Sequence, residues 1–221
     1  MTRNVFDKFR SSLYLILSLL LIICLASCYP EFKNPIPPPP ELKADHQILG
    51  TWVGTKYSGS KEQLLIFQRS SGWIDLVFIF NIDMKESKDG IDVLVFEGYS
   101  TSVNKQKFLC LRLREKDWKD RDKEVGEFLF YIFNYETPSK DEFIIKQVSI
   151  QKVKELIKEG KLKGQVVEED EAKGQPFDKV TITSSSDELV KVISEVISTE
   201  GVGAFIGQDE NDILVFSRIT P

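Results

Sequence analysis

From residue 50 to residue 148 the chain is a nearly unbroken succession of strand-length runs, each rich in apolar side chains at alternate positions and each ending in a turn signal. The runs lie near 50–58, 62–69, 73–83, 91–101, 106–115, 126–136 and 141–148, joined by turns such as Ser58-Gly59-Ser60, Ser70-Ser71-Gly72 and Lys88-Asp89-Gly90. Connections this short leave no room for a crossover, so neighbouring strands must run antiparallel and the chain is confined to a meander. In the third run Ile74, Leu76, Phe78, Phe80 and Ile82 share one face, while Asp75, Asn81 and Asp83 mark the two ends of the other. Such a strand has one buried face and a second face covered only at its middle. The run 128–133, Phe-Leu-Phe-Tyr-Ile-Phe, repeats the pattern.

Two helices are expected late in the chain. The first spans 150–159, with Ser149 as N-cap, Ile150, Val153, Leu156 and Ile157 on one face, and Gly160 where a left-handed C-cap belongs. The second spans 186–199, opened by the capping-box pair Ser185 and Glu188, carrying Leu189, Val192, Ile193, Val196 and Ile197 as its buried stripe and stopped by Gly201. Short strands are expected at 164–168 and 177–184, and a last strand at 212–219. The fold class is therefore mainly β.

Residues 1–10 carry Arg3, Lys8 and Arg10 against Asp7, and the apolar run 13–25 that follows is broken only by Ser18. These are the charged and hydrophobic regions of an export signal. The run closes on Leu25-Ala26-Ser27-Cys28, which resembles the bacterial lipobox: an aliphatic residue, two small residues, and the cysteine that receives lipid. The resemblance implies a diacylglyceryl thioether and an N-terminal acyl chain on Cys28. Two or three tails at about 0.8 kcal/mol per buried CH2 make a permanent anchor, where one would be marginal. The alternatives are an uncleaved signal anchor, or an ordinary signal peptide with a chance cysteine near its end. In lipoproteins of this kind an Asp after the cysteine signals retention in the inner membrane. Tyr29 stands there instead, which implies the outer membrane where two membranes exist.

The implied organisation is a signal peptide over 1–27, a proline-rich tether over 28–44 and a folded domain over 45–221. Six of the nine prolines fall between Pro30 and Pro40. That segment is expected to form neither helix nor sheet, and as polyproline II, at about 3.1 Å per residue, to hold the domain up to roughly 40 Å from the membrane.

Gly50-Thr51-Trp52 in the first strand of the meander, together with Arg218 in the last strand, resembles the calycin signature of lipocalins and fatty-acid-binding proteins. The resemblance implies a barrel in which the glycine lets the chain enter tightly, Trp52 closes one end, and Arg218 packs over the indole through cation–π attraction. The chain departs from that pattern in lacking the Thr-Asp-Tyr motif and in placing its helices late. The expectation is an antiparallel meander closing into a lipocalin-like barrel, and its rival is an open sheet packed on two helices.

The sequence offers little chemistry. It contains no Gly-x-Ser-x-Gly, P-loop, Gly-x-Gly-x-x-Gly, Cys-x-x-Cys or paired histidines at ligand spacing. His46, the only histidine, sits at the edge of the tether with no carboxylate partner in view. Cys24 lies in the hydrophobic signal region, so a mature chain acylated at Cys28 keeps Cys110 as its one thiol, read as a small buried hydrophobe within Phe108-Leu109-Cys110-Leu111. The acidic clusters at 168–171 and 209–212 lack the ligand alternation of a calcium loop and read as solvated turns. Arg112 and Arg114 face opposite to Leu109, Leu111 and Leu113. Lining a lumen, the arginines would clamp an anionic headgroup; the leucine face is the expected interior.

With 42% apolar and 11% aromatic residues the chain is not a disordered tail, and its one span-length apolar run excludes a multi-span membrane protein. A formal charge of −5 without a basic patch gives nucleic acid no electrostatic footing. No enzyme activity, cofactor or metal is expected. Two functions remain: a membrane-anchored barrel binding a small hydrophobic or amphiphilic ligand, or a structural lipoprotein whose self-filled barrel meets an envelope protein. A lumen of about 300 Å3 or more would favour the first.

Overall fold

The computed structural model describes residues 29–55, 61–80, 92–114, 129–168, 178–208 and 212–219. Residues 1–28 with Cys24 and Cys28, the turns at 58–60 and 88–90, the far end of the third run (Asn81, Ile82, Asp83), Phe128 and most of the two acidic clusters lie outside the described residues.

The first element is β1 (Glu31–Phe32). The meander follows as β2 (Gly50–Thr55), β3 (Lys61–Gln68), β4 (Ile74–Phe80), β5 (Asp92–Val103), β6 (Gln106–Leu113), β7 (Tyr131–Ser139) and β8 (Glu142–Gln147), each antiparallel to the next. The last strand, β11 (Ile213–Arg218), pairs with β8 on one side and β2 on the other, closing an eight-stranded antiparallel barrel. Closure excludes the open-sheet alternative and leaves these strands without a free edge. Alternation sets the walls: Ile74, Leu76, Leu109, Leu111, Phe143 and Phe216 meet inside the barrel with Trp52 at one end. Gly54 makes room for this core, because a Cβ there would lie 2.9 Å from the Phe216 ring that packs across it.

Between β8 and β11 the chain leaves the barrel and builds a second layer. It comprises α1 (Ile150–Lys158), β9 (Gly164–Val167), β10 (Lys179–Ile182), α2 (Ser186–Glu200) and the short α3 (Val202–Phe205). The Ser149 hydroxyl accepts from the Lys152 N–H, Gly160 follows α1 at φ +72°, and the Ser185–Glu188 capping box opens α2. A second core forms where this layer covers the outer wall: Val153, Leu156, Leu189, Ile193 and Phe205 pack against Phe108, Cys110 and Ile132.

The expected free tether is corrected from residue 29 onward. β1 pairs in parallel with β10, Phe32 opposite Ile182, and joins a three-stranded sheet ordered β1-β10-β9. Phe32 and Ile36 are buried in the second core. Proline removes backbone donors and leaves the carbonyls, and past Asn34 two carbonyls tie this segment to β5. The Tyr99 hydroxyl donates to the Ile36 oxygen at 2.6 Å and the Thr101 hydroxyl to the Pro37 oxygen at 3.0 Å. A segment read as spacer is thus laid along the barrel wall.

Candidate functional site

One end of the barrel is sealed. The Trp52 indole is fully buried, its Nε1–H donates to the Ile48 oxygen at 2.8 Å, and its ring lies 5.3 Å from that of Phe143. Arg218, opposite Trp52 in the β2–β11 register, places its guanidinium carbon 4.1 Å from the indole centroid. Its three nitrogens donate to the backbone oxygens of Leu49 (2.8 Å), Gln47 (2.6 Å) and Lys140 (2.7 Å). Gly50 is required beside it: its φ is +129°, and a Cβ would lie 2.8 Å from the Arg218 Nη1. Asp45 braces the same end, accepting from the Gln47 N–H at 3.0 Å, Lys107 Nζ at 2.7 Å and the Tyr135 hydroxyl at 3.2 Å. Burial pushes the Asp45 carboxyl up, but these hydrogen bonds and the Lys107 charge outweigh it and hold the pKa below the ordinary carboxylate range.

Above the seal lies an apolar cavity of about 110 Å3. Its wall is Leu64, Leu76, Phe78, Leu94, Phe96, Leu111, Leu113, Tyr131, Phe133, Ile145, Leu214 and Phe216, drawn from every barrel strand but β2, whose inward Gly54 has no side chain to contribute. A cavity of about 150 Å3 with such a lining stays dry and accepts benzene, so this one has room for somewhat less than a ring. Glu62, on the face of β3 that carries Leu64 and Ile66, is buried opposite Gly54.

The other end is the mouth, and Tyr29 stands in it. Its ring completes the cavity wall and meets Tyr131 and Phe133 edge-on at 6.4 and 5.7 Å. Its hydroxyl accepts from the Gln147 side-chain amide at 3.0 Å. Beside it the buried Glu31 carboxylate accepts from the Tyr131 hydroxyl at 3.4 Å and lies 3.5 Å from Lys179 Nζ.

The remaining candidates stand outside the lumen. Leu111 and Leu113 face the cavity, whereas Arg112 pairs with Glu97 at 2.7 Å and Arg114 with Asp75 at 2.7 Å on the outer wall, where Arg69 bridges both carboxylates. Arg112 also lies 5.3 Å from the Trp73 ring. Cys110 is buried beneath the 31–36 segment, and desolvation pushes its thiol up to about 12, far from the thiolate a nucleophile needs. His46 is exposed near the sealed end. Among the described residues no group of three His, Cys, Asp or Glu side chains is placed to hold a metal.

Neither Tyr29, read only as the residue after Cys28, nor Glu62 was read from sequence as lining the barrel. Glu62 carries a faint signal, an acid in phase with Leu64 and Ile66; Tyr29 carries none beyond its place after Cys28. No family model, curated protein or solved structure matches the chain. Its closed eight-stranded antiparallel barrel is compatible with a calycin-like fold.

Proposed function

We propose that the chain is a lipoprotein, anchored through an acylated Cys28 and favouring the outer membrane where there are two, whose calycin-like barrel binds a small hydrophobic or amphiphilic ligand without chemistry of its own. The observation that carries this reading is the apolar cavity, sealed below by Trp52 and Arg218 and bordered above by the hydroxyls of Tyr29 and Tyr131 and the amide of Gln147. Its wall supplies contact area, and its rim supplies the few polar groups that orient an amphiphile. Mass spectrometry of an organic extract of the purified full-length protein should show a co-purifying lipid; its repeated absence overturns the ligand reading. Anchoring is tested separately: Cys28→Ala should leave a precursor retaining residues 1–27 and abolish incorporation of labelled palmitate, and unchanged processing and labelling would remove the anchor.

A second reading has a specific observation in its favour. The cavity falls short of the roughly 300 Å3 at which ligand clefts begin. Phe67, Val93 and Val215 are about half exposed on the outer wall. A self-filled barrel whose outer face meets an envelope protein accounts for both, and the same extraction, yielding no lipid, would select it.

A further inference from the structure

We propose that the mouth of the barrel is held against the membrane by the anchor, and that the acyl chain of a membrane lipid enters the lumen there by displacing Tyr29. The proposal rests on the readings of Cys28 as lipidated and of the lumen as a ligand site, and adds where the ligand comes from and what gives way to it.

The geometric argument is the absence of slack. Consecutive Cα atoms are about 3.8 Å apart, so the residue that bears the lipid adjoins the residue whose ring stands in the mouth. Tyr29 cannot drift from the barrel on a long leash, because three residues later Phe32 exchanges both backbone hydrogen bonds with Phe130, at 2.8 and 2.9 Å, and Lys33 donates to the Ile182 oxygen at 2.9 Å. Five of the six prolines that would have formed a spacer come after this clamp and run along the domain, so they add nothing to the distance between lipid and mouth. The sealed end, with Trp52 and Arg218, is at the opposite end of the strands. Seven residues of β4 at about 3.3 Å each, tilted by about 40° as barrel strands are, put it roughly 15 Å further from the bilayer.

The cavity is lined by apolar side chains, which suits a hydrocarbon tail, while the Gln147 amide that donates to Tyr29 at the rim suits the ester where a tail meets its headgroup. With the Tyr29 ring in place the cavity holds less than a benzene, so a tail needs the space that the ring occupies. The hydrogen bond from Gln147 and the edge-on contacts with Tyr131 and Phe133 are of kinds that a tail and its ester replace.

The test uses the full-length lipoprotein in phosphatidylcholine vesicles containing lipids with a spin label on the acyl chain. Val93, exposed on the outer wall near the mouth, and Lys140, exposed at the sealed end, are each changed to Cys and labelled with a fluorophore; the native Cys110 is buried and stays unlabelled. Quenching at Val93→Cys should exceed that at Lys140→Cys at least threefold. Equal quenching, or more at Lys140→Cys, overturns the orientation even where lipid co-purifies and the ligand reading stands. In parallel, Tyr29→Ala should raise the phosphatidylcholine recovered per protein at least threefold over wild type. Recovery unchanged from a lipid-bearing wild type overturns the role of Tyr29, whereas no lipid from either protein overturns the lumen reading itself. A tail recovered only as the protein's own Cys28 acyl group assigns the cavity to the anchor and overturns the membrane-lipid source.

Discussion

A guanidinium stacked on an indole satisfies the cation's need for negative potential without a carboxylate, and its edge is then free to donate to carbonyls. Arg218 uses both capacities at the sealed end, with the Trp52 face beneath it and the Gln47, Leu49 and Lys140 oxygens around it. Trp52→Ala should cost about 3–5 kcal/mol as a buried aromatic deletion. Arg218→Ala should cost less, about 1–2 kcal/mol, because water reaches the carbonyls it leaves. Urea unfolding of both single variants and the double variant should give a coupling of at least about 0.5 kcal/mol; strict additivity would mean that the stack contributes nothing as a unit. The two side chains were legible in the sequence because a tryptophan near the first strand and an arginine in the last are distinctive letters at distinctive places. The carbonyls that complete the seal were not, since any residue supplies a carbonyl. Tyr29 was equally hidden: its neighbours Tyr131, Phe133 and Gln147 lie more than 100 residues away and are brought to it only by the finished fold.

Period-two alternation between turn signals made the barrel strands readable, since a strand with one wet face must announce which side is buried. Helix ends were readable for a similar reason: Ser149, Gly160 and the Ser185–Glu188 pair are local solutions to unpaired backbone groups. β1 was not readable. Two residues carry no periodicity, and the prolines after it suggested that nothing there pairs at all. What fixes β1 is tertiary: Phe32 is fully buried, bonded to Phe130 through the backbone and set beside Ile182. Phe32→Ala separates the two pictures. A tether residue would be indifferent to the change, whereas the packed strand should lose about 3–5 kcal/mol, read from the shift in the denaturant midpoint at constant slope.

For the whole molecule, acid should act through carboxylates that tie distant parts together. Asp45 joins the segment before β2 to Lys107 on β6 and Tyr135 on β7, and Asp75 joins β4 to Arg69 and to Arg114 after β6. Burial raises the Asp75 pKa, but hydrogen bonds from Arg69 and Arg114 and their charges lower it by more, so it, like Asp45, titrates below its unfolded value. A depressed carboxyl contributes stability that is present above the unfolded pKa of about 3.9 and is lost as pH falls through the folded value. The thermal midpoint should therefore decline below about pH 4, and Asp45→Asn combined with Asp75→Asn should make that decline shallower; an unchanged slope would place the acid sensitivity elsewhere. The parallel pairing of β1 with β10 also bears on the order of events during synthesis. Residues 31 and 32 leave the ribosome long before 181 and 182, their partners in that pair, so β1 is among the last elements to dock. Through that interval the stretch around Cys28 has no finished domain to be clamped against, which for the proposed lipidation gives the modifying and cleaving enzymes an extended substrate. Once β10 arrives, Glu31 and Phe32 pair with it and Tyr29 takes its place in the barrel mouth. Were Cys28 lipidated as proposed, the late β1–β10 pairing would leave it reachable before Glu31 and Phe32 dock.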